Sequence, residues 1–364
     1  MGFNVKILAM SRLIETISDL VSFRTTADNP VEIEKCFDYI SDRLGFYPFI
    51  VRKFEHQGVS SRVWMTSDTL TPEVVLNAHV DVVPGSAELF QMRSDNGKIY
   101  GRGVMDMKFA IACCLETLEA VHSSHRLPSL ALMLTSDEER GGTNGVGYLV
   151  DEIGFRPKVV IIPDGGANNH IVEEAKGVLH LRVSAQGKSA HASRPWEGDN
   201  AINKVVAAAQ KAMELYPVPN SEQWKTTLNL GKINGGVQTN QVPDQAEVYL
   251  DIRHVSQDRP EKIIEQIKQA SPGCQVELLI HANAFKISRD NPYIRKWADL
   301  LTGAKPIFIK ENGASDGRFF STVGVPTIVS QPIGGAGHSN DEWCDVKSVQ
   351  EFNERLKRYL LGLI

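Results

Sequence analysis

Four runs of Val, Ile and Leu, at residues 74–83, 130–134, 159–162 and 326–329, narrow most sharply what this chain can fold into. Each is nearly continuous in apolar residues rather than alternating, the pattern of a strand covered on both faces. Between the first two, Met107, Ile111, Cys114, Leu115, Leu118 and Val121 recur at helical spacing, so a helix is expected to cross from one strand to the next. The implied core is an α/β fold with a mostly parallel sheet. The last helix is expected to open on a capping box, Ser348 with Glu351, and to bury Val349, Phe352, Leu356 and Tyr359.

From about residue 177 to 284 the rhythm changes. Strand (178–185), helix (200–215), strand (227–233), strand (247–254), helix (259–269) and strand (275–281) follow one another. That is the βαββαβ order of a ferredoxin-like unit, which can fold independently. The expected domains are therefore 1–176 with 285–364, and an inserted lid at 177–284. A length of 364 residues suits two domains better than one.

The formal net charge of -5 is spread without a block of either sign, which gives no footprint for a nucleic-acid partner. No apolar run approaches the roughly 20 residues needed to cross a bilayer, so no membrane partner is expected. Five cysteines, an odd number, include no C-x-x-C pair, and Cys113 and Cys114 are adjacent; a reduced, cytoplasmic setting is expected.

Ligands of an open α/β sheet collect at the carboxyl ends of its strands. Here the first run closes on His79 and Asp81, the second on Glu138 and Glu139, and the third on Asp164. Asp106 precedes the crossover helix and His338 follows the last apolar run. So much negative charge on one sheet edge is costly unless neutralised, and imidazole with carboxylate suits zinc, with cobalt or manganese as alternatives. If Asp106 bridges two divalent ions, His79 and Asp164 complete one ligand set while Glu139 and His338 complete the other. Glu138 is then free to act as general base, and Asp81 to orient His79.

The motifs H-x-D, G-R-G-x-x-D-x-K, D-E-E, an acid after the next strand and a late G-x-G-H resemble the M20 family of metallopeptidases over nearly the whole chain. The resemblance implies a zinc-peptidase catalytic domain carrying a lid and dimerisation domain, the same metal-site roles, and a cis peptide after Asp106. The segment around His191 resembles the family's lid motif, whose histidine polarises the scissile carbonyl and in several dimeric members comes from the partner subunit. Asn240 and Arg253 match the family's substrate-binding Asn and Arg, and Arg318, in Ser315-Asp-Gly-Arg318, matches a segment that contacts substrate. The expected reaction is cleavage of a peptide or other amide bond. Asp at position 164 points towards a small peptide, whereas Ser315-Asp-Gly-Arg-Phe keeps an N-acyl amino acid deacylase as the alternative; a non-catalytic small-molecule binder is the third reading. A homodimer through the lid is the assembly expected from that resemblance.

Other features fare worse. Gly313-Ala-Ser315-Asp-Gly317 matches the nucleophile elbow of serine hydrolases, but the only acid between Ser315 and His338 is Asp316, inside the elbow itself. Gly141, Gly142, Gly145 and Gly147 lack dinucleotide-loop spacing. Cys344 is expected to be a buried structural thiol.

Overall fold

The structure, a computed structural model, describes residues 2–122, 129–301 and 305–363. In chain order come α1 (Gly2–Ser22), α2 (Pro30–Leu44), β1 (Ile50–His56), β2 (Val59–Met65), β3 (Val74–His79), α3 (Phe109–His122), β4 (Leu130–Thr135) and β5 (Val159–Ile162). Then follow β6 (Gly177–Gln186), α4 (Ala201–Leu215), β7 (Thr227–Gly235), β8 (Gln245–His254), α5 (Pro260–Ala270) and β9 (Gln275–Ala282). The principal late elements are β10 (Thr327–Val329) and α6 (Val346–Leu361). These fall into two compact units, one of Met1–Glu173, Ile287–Ile309 and Ser315–Ile364, the other of Glu174–Lys286 with Lys310–Ala314.

The first unit is built on a six-stranded sheet in the order β1-β2-β4-β3-β5-β10. Strands β4, β3, β5 and β10 run parallel, and the β1–β2 hairpin adds an antiparallel edge. Every residue of β3, β4 and β5 is buried, as their unbroken apolar runs require. Strand β3 ends at His79, earlier than the apolar run: Val80 and Val82 stay buried but have left the strand. Helix α3 is buried on almost every side, and Phe109 meets Phe352 of α6 edge to face with ring centres 5.9 Å apart.

Helix α6 starts differently from the expected capping box. Asp345 is its N-cap, its carboxylate accepting the Ser348 N–H at 2.7 Å. The Ser348 hydroxyl instead accepts the Ile333 N–H at 2.8 Å, a contact between distant segments that local spacing does not reveal.

The second unit is a four-stranded antiparallel sheet in the order β7-β8-β6-β9 with α4 and α5, a ferredoxin-like βαββαβ fold. Leu179, Leu181 and Val183 of β6 and Val248, Leu250 and Ile252 of β8 face Val205 of α4 and Ile263 and Ile267 of α5 in one core. The intervening strand residues are more exposed, the alternation of a sheet with one covered face.

Candidate metal centre

Within the first unit, the carboxyl ends of the parallel strands carry the polar residues picked out by sequence. His79 ends β3, Glu138 and Glu139 lie in the turn after β4, and Asp164 stands two residues past β5. Asp106 sits in the wide turn Val104–Lys108 ahead of α3, and His338 follows Gly334–Gly335. Two triads result, His79 with Glu138 and Asp164, and Asp106 with Glu139 and His338, each with its donor atoms within 4.8 Å of one another. Asp106 faces both: Oδ1 is 3.0 Å from Nε2 of His79, and Oδ2 is 3.1 Å from Nε2 of His338. His338 Nε2 is also 3.0 Å from Glu139.

The loops bearing these groups are held by buried polar residues. Nδ1 of His79 donates to the main-chain carbonyl of Asp81 at 2.9 Å, with the Asp81 carboxylate farther off at 3.5 Å. That carboxylate accepts the N–H groups of Glu138 (3.3 Å) and Glu139 (3.1 Å). Asp81 therefore orients His79 mainly through its backbone and shapes the Glu138–Glu139 turn through its side chain, a division not expected from spacing. Asp137 supports the same turn from behind, accepting the N–H groups of Asn144 and Gly145.

Glu342 is the residue that sequence reasoning missed. Almost fully buried, it accepts the N–H groups of Met105 (2.9 Å) and Asp106 (3.1 Å) on Oε1 and that of Gly103 (3.0 Å) on Oε2. Arg102 neutralises it at 3.1 Å and donates to the carbonyl of Ser339, next to His338, so the Asp106 and His338 loops share one brace. The available signal was an acid four residues after His338 in the same loop. Gly103 is required here: its φ is 76°, and a Cβ would lie 2.6 Å from Val82. The Asp106–Met107 peptide is cis. His338 itself has φ 64°, a left-handed backbone state uncommon for a non-glycine residue.

The charges at this edge are out of balance. Burial, then the charge of Asp164, pushes the Glu138 carboxyl well above the usual range. Burial, then Asp106, raises Glu139 to about 7. Burial works against a charge on His79, but Asp106 and Asp81 outweigh it and raise its pKa well above the ordinary value. The hydrogen bond to Asp106 lifts His338 to about 9. Because Nδ1 of His79 gives its proton to a carbonyl, the neutral ring would aim a lone pair from Nε2 at a carboxylate oxygen. A cation between imidazole and carboxylate relieves that opposition, so the donor set fits divalent metal. His338 is 56% exposed, which leaves that side open to solvent.

The remaining site residues are placed as follows. In the second unit, His191 Nδ1 accepts the Ser193 N–H at 3.2 Å and lies 2.7 Å from the Ser193 hydroxyl, so the neutral ring carries its proton on Nε2. Asn240 is exposed, and its carbonyl accepts the Ala192 N–H at 3.0 Å, beside His191. Arg253 is paired by two hydrogen bonds, 2.8 and 3.0 Å, to Asp251 on its own strand. Arg318, in the first unit, is buried and donates to the carbonyls of Ser315 and Gly141. These bonds tie two loops together. Ser315 is buried and its hydroxyl accepts the Gly317 N–H, unlike an exposed nucleophile; Cys344 is fully buried.

Residues 75–361 match Peptidase family M20/M25/M40. A succinyl-diaminopimelate desuccinylase of Wolinella succinogenes is 25% identical, the match covering 96% of this chain and 98% of that protein. A probable carboxypeptidase of Uncinocarpus reesii is 30% identical over 55% of this chain and 50% of its own. The crystal structure of aminopeptidase PepT from Bacillus cereus has the same fold, with a TM-score of 0.78 at 21% identity, covering 96% of this chain and 98% of that one. The chain belongs to peptidase family M20/M25/M40 and is a metal-dependent hydrolase.

Proposed function

We propose that the chain cleaves an amide bond in a small peptide with a pair of divalent ions, zinc in preference to cobalt or manganese. The observation that carries this reading is Asp106, whose two carboxylate oxygens face the imidazoles of the two donor triads. His79, Asp106 and Asp164 would hold one ion, and Asp106, Glu139 and His338 the other; Glu138, although it stands in the donor triad of His79 and Asp164, is assigned to the proton rather than to the metal. Such ions supply positive charge that polarises a carbonyl and brings the pKa of water near neutrality.

Glu138 is the general base in this account: it takes a proton from the attacking water and hands it to the leaving amine. Burial and the charge of Asp164 raise its pKa, which makes it a stronger proton acceptor than an ordinary carboxylate. The Nε2–H of His191, kept in that tautomer by Ser193, is a donor for the oxyanion. Asn240, Arg253 and Arg318 are proposed to bind substrate, Arg253 sharing its guanidinium between Asp251 and a substrate carboxylate. Residues 1–176 and 285–364 would form the catalytic domain and 177–284 the lid, through which the chain would dimerise. A cytoplasmic location accords with five cysteines that are all unpaired.

Deacylation of an N-acyl amino acid is the second reading, favoured by the curated desuccinylase relatives. A panel of di- and tripeptides beside N-succinyl and N-acetyl amino acids, offered to zinc-, cobalt- and manganese-loaded protein, separates the two. Peptide turnover is expected. Turnover of N-acyl substrates alone would replace the substrate assignment, and a protein that takes up no metal would overturn the whole reading.

A further inference from the structure

Arg355 is a cation that the fold buries without an anion. It lies on α6 and is only 7% exposed. Its Nη1 donates to the side-chain oxygen of Asn169 at 3.1 Å, and its guanidinium carbon lies 5.7 Å from the centre of the Trp297 ring. Neither partner carries charge. Its Nε is buried with no acceptor, and among the described residues no carboxylate forms an ion pair with it. Burial pulls its pKa down to about 10, only partly offset by the charge of Glu351. Buried charges are ordinarily paired because desolvation is costly.

A cavity of about 520 Å³ opens beside this side chain. Gln350 also lines it, and its Nε2 is a second buried donor with no acceptor. Lys305, Lys347 and Arg358 stand exposed around it. The lining acids are Glu351, 3.8 Å from Lys347, and Glu354, 3.1 Å from Lys357. Four cations thus meet two acids, in a chain whose net charge is -5. None of the lining residues belongs to either donor triad of the metal centre.

We propose that this cavity binds a small oxyanion of the phosphate or carboxylate class, with the Arg355 guanidinium at its centre and the Gln350 amide as second donor. The planar fork of Arg355 matches either group, and the exposed cations draw the ligand in. Binding to the folded state alone raises stability in proportion to the logarithm of ligand concentration.

The test is thermal unfolding and calorimetric titration of the full chain, stripped of metal and dialysed so that the metal centre offers no competing anion site. Sodium phosphate and sodium tricarballylate are the probes, with sodium chloride at equal ionic strength as control. A saturable rise in Tm with phosphate, tricarballylate or both is expected, and the probe that acts names the ligand class. Arg355→Met is expected to abolish the response and to leave the ligand-free Tm equal to or above that of the wild type, since it removes an unpaired buried charge. Should that variant fail to fold, Lys347→Ser with Arg358→Ser, both at exposed positions, is expected to weaken binding about threefold or more. A wild type that responds no more to either probe than to chloride would overturn the proposal. So would a response that survives Arg355→Met or that is unchanged in the exposed double variant.

Discussion

The carboxylate of Glu342 accepts the backbone N–H of Asp106 at 3.1 Å, so the residue that faces both imidazoles is gripped by an acid from a distant loop. Three further donors, the N–H groups of Gly103 and Met105 and the Arg102 guanidinium, end on the same carboxylate. Replacing it leaves buried donors unpaired on the turn that aims Asp106. Glu342→Ala is expected to weaken metal binding by about 10- to 100-fold, as losses behind metal ligands do. Competition with a calibrated chelator checks this, and the absorption of the cobalt-loaded protein should shift as well.

The Ser193 N–H holds His191 in the tautomer that donates from Nε2. With His191 as oxyanion donor, His191→Ala is expected to lower kcat by about 10²- to 10³-fold. Metal content, read by elemental analysis, should not change, because His191 belongs to neither donor triad.

Metal uptake should release protons. Without metal, His338 titrates at about 9 and Glu139 at about 7, so both carry protons below those values, which a metal must displace. Affinity should therefore rise with pH up to about 9 and fall as the solution is acidified. Calorimetric titration at pH 7 in buffers of different ionisation enthalpy is expected to show release of about one or more protons per chain.

Away from the metal centre, Asp345 is the N-cap of a helix whose buried face packs on α3. Asp345→Ala should cost about 1 kcal/mol, visible as a lower Tm, whereas Glu351→Ala, outside the cap, should have a smaller effect.

The strand ends were legible in the sequence because a strand buried on both faces is written as an apolar run, and His79, Glu139 and Asp164 stand where such runs stop. The βαββαβ order of the second unit was legible because its strands and helices alternate clearly. Other features depend on contacts between distant residues, which local spacing cannot encode. Glu342 grips a turn some 240 positions away, and Ser348 serves Ile333 rather than its own helix. Arg318 was singled out by its motif, but the motif does not announce that it ties two loops together by donating to the carbonyls of Ser315 and Gly141. Helix α2, which buries Ile33, Cys36, Phe37, Ile40 and Leu44 at helical spacing, was not picked out, because no chemistry there drew attention to it.

In the proposed reaction Glu138 moves the proton while other residues hold the metal. This assignment is tested most directly by measuring metal content and kcat together in Glu138→Gln, on the substrate that the wild type turns over. Both ions are expected to remain bound and kcat to fall by about 10²- to 10⁴-fold, the range for loss of a general base. Turnover within a few-fold of the wild type, or loss of metal with loss of Glu138, would contradict the assignment.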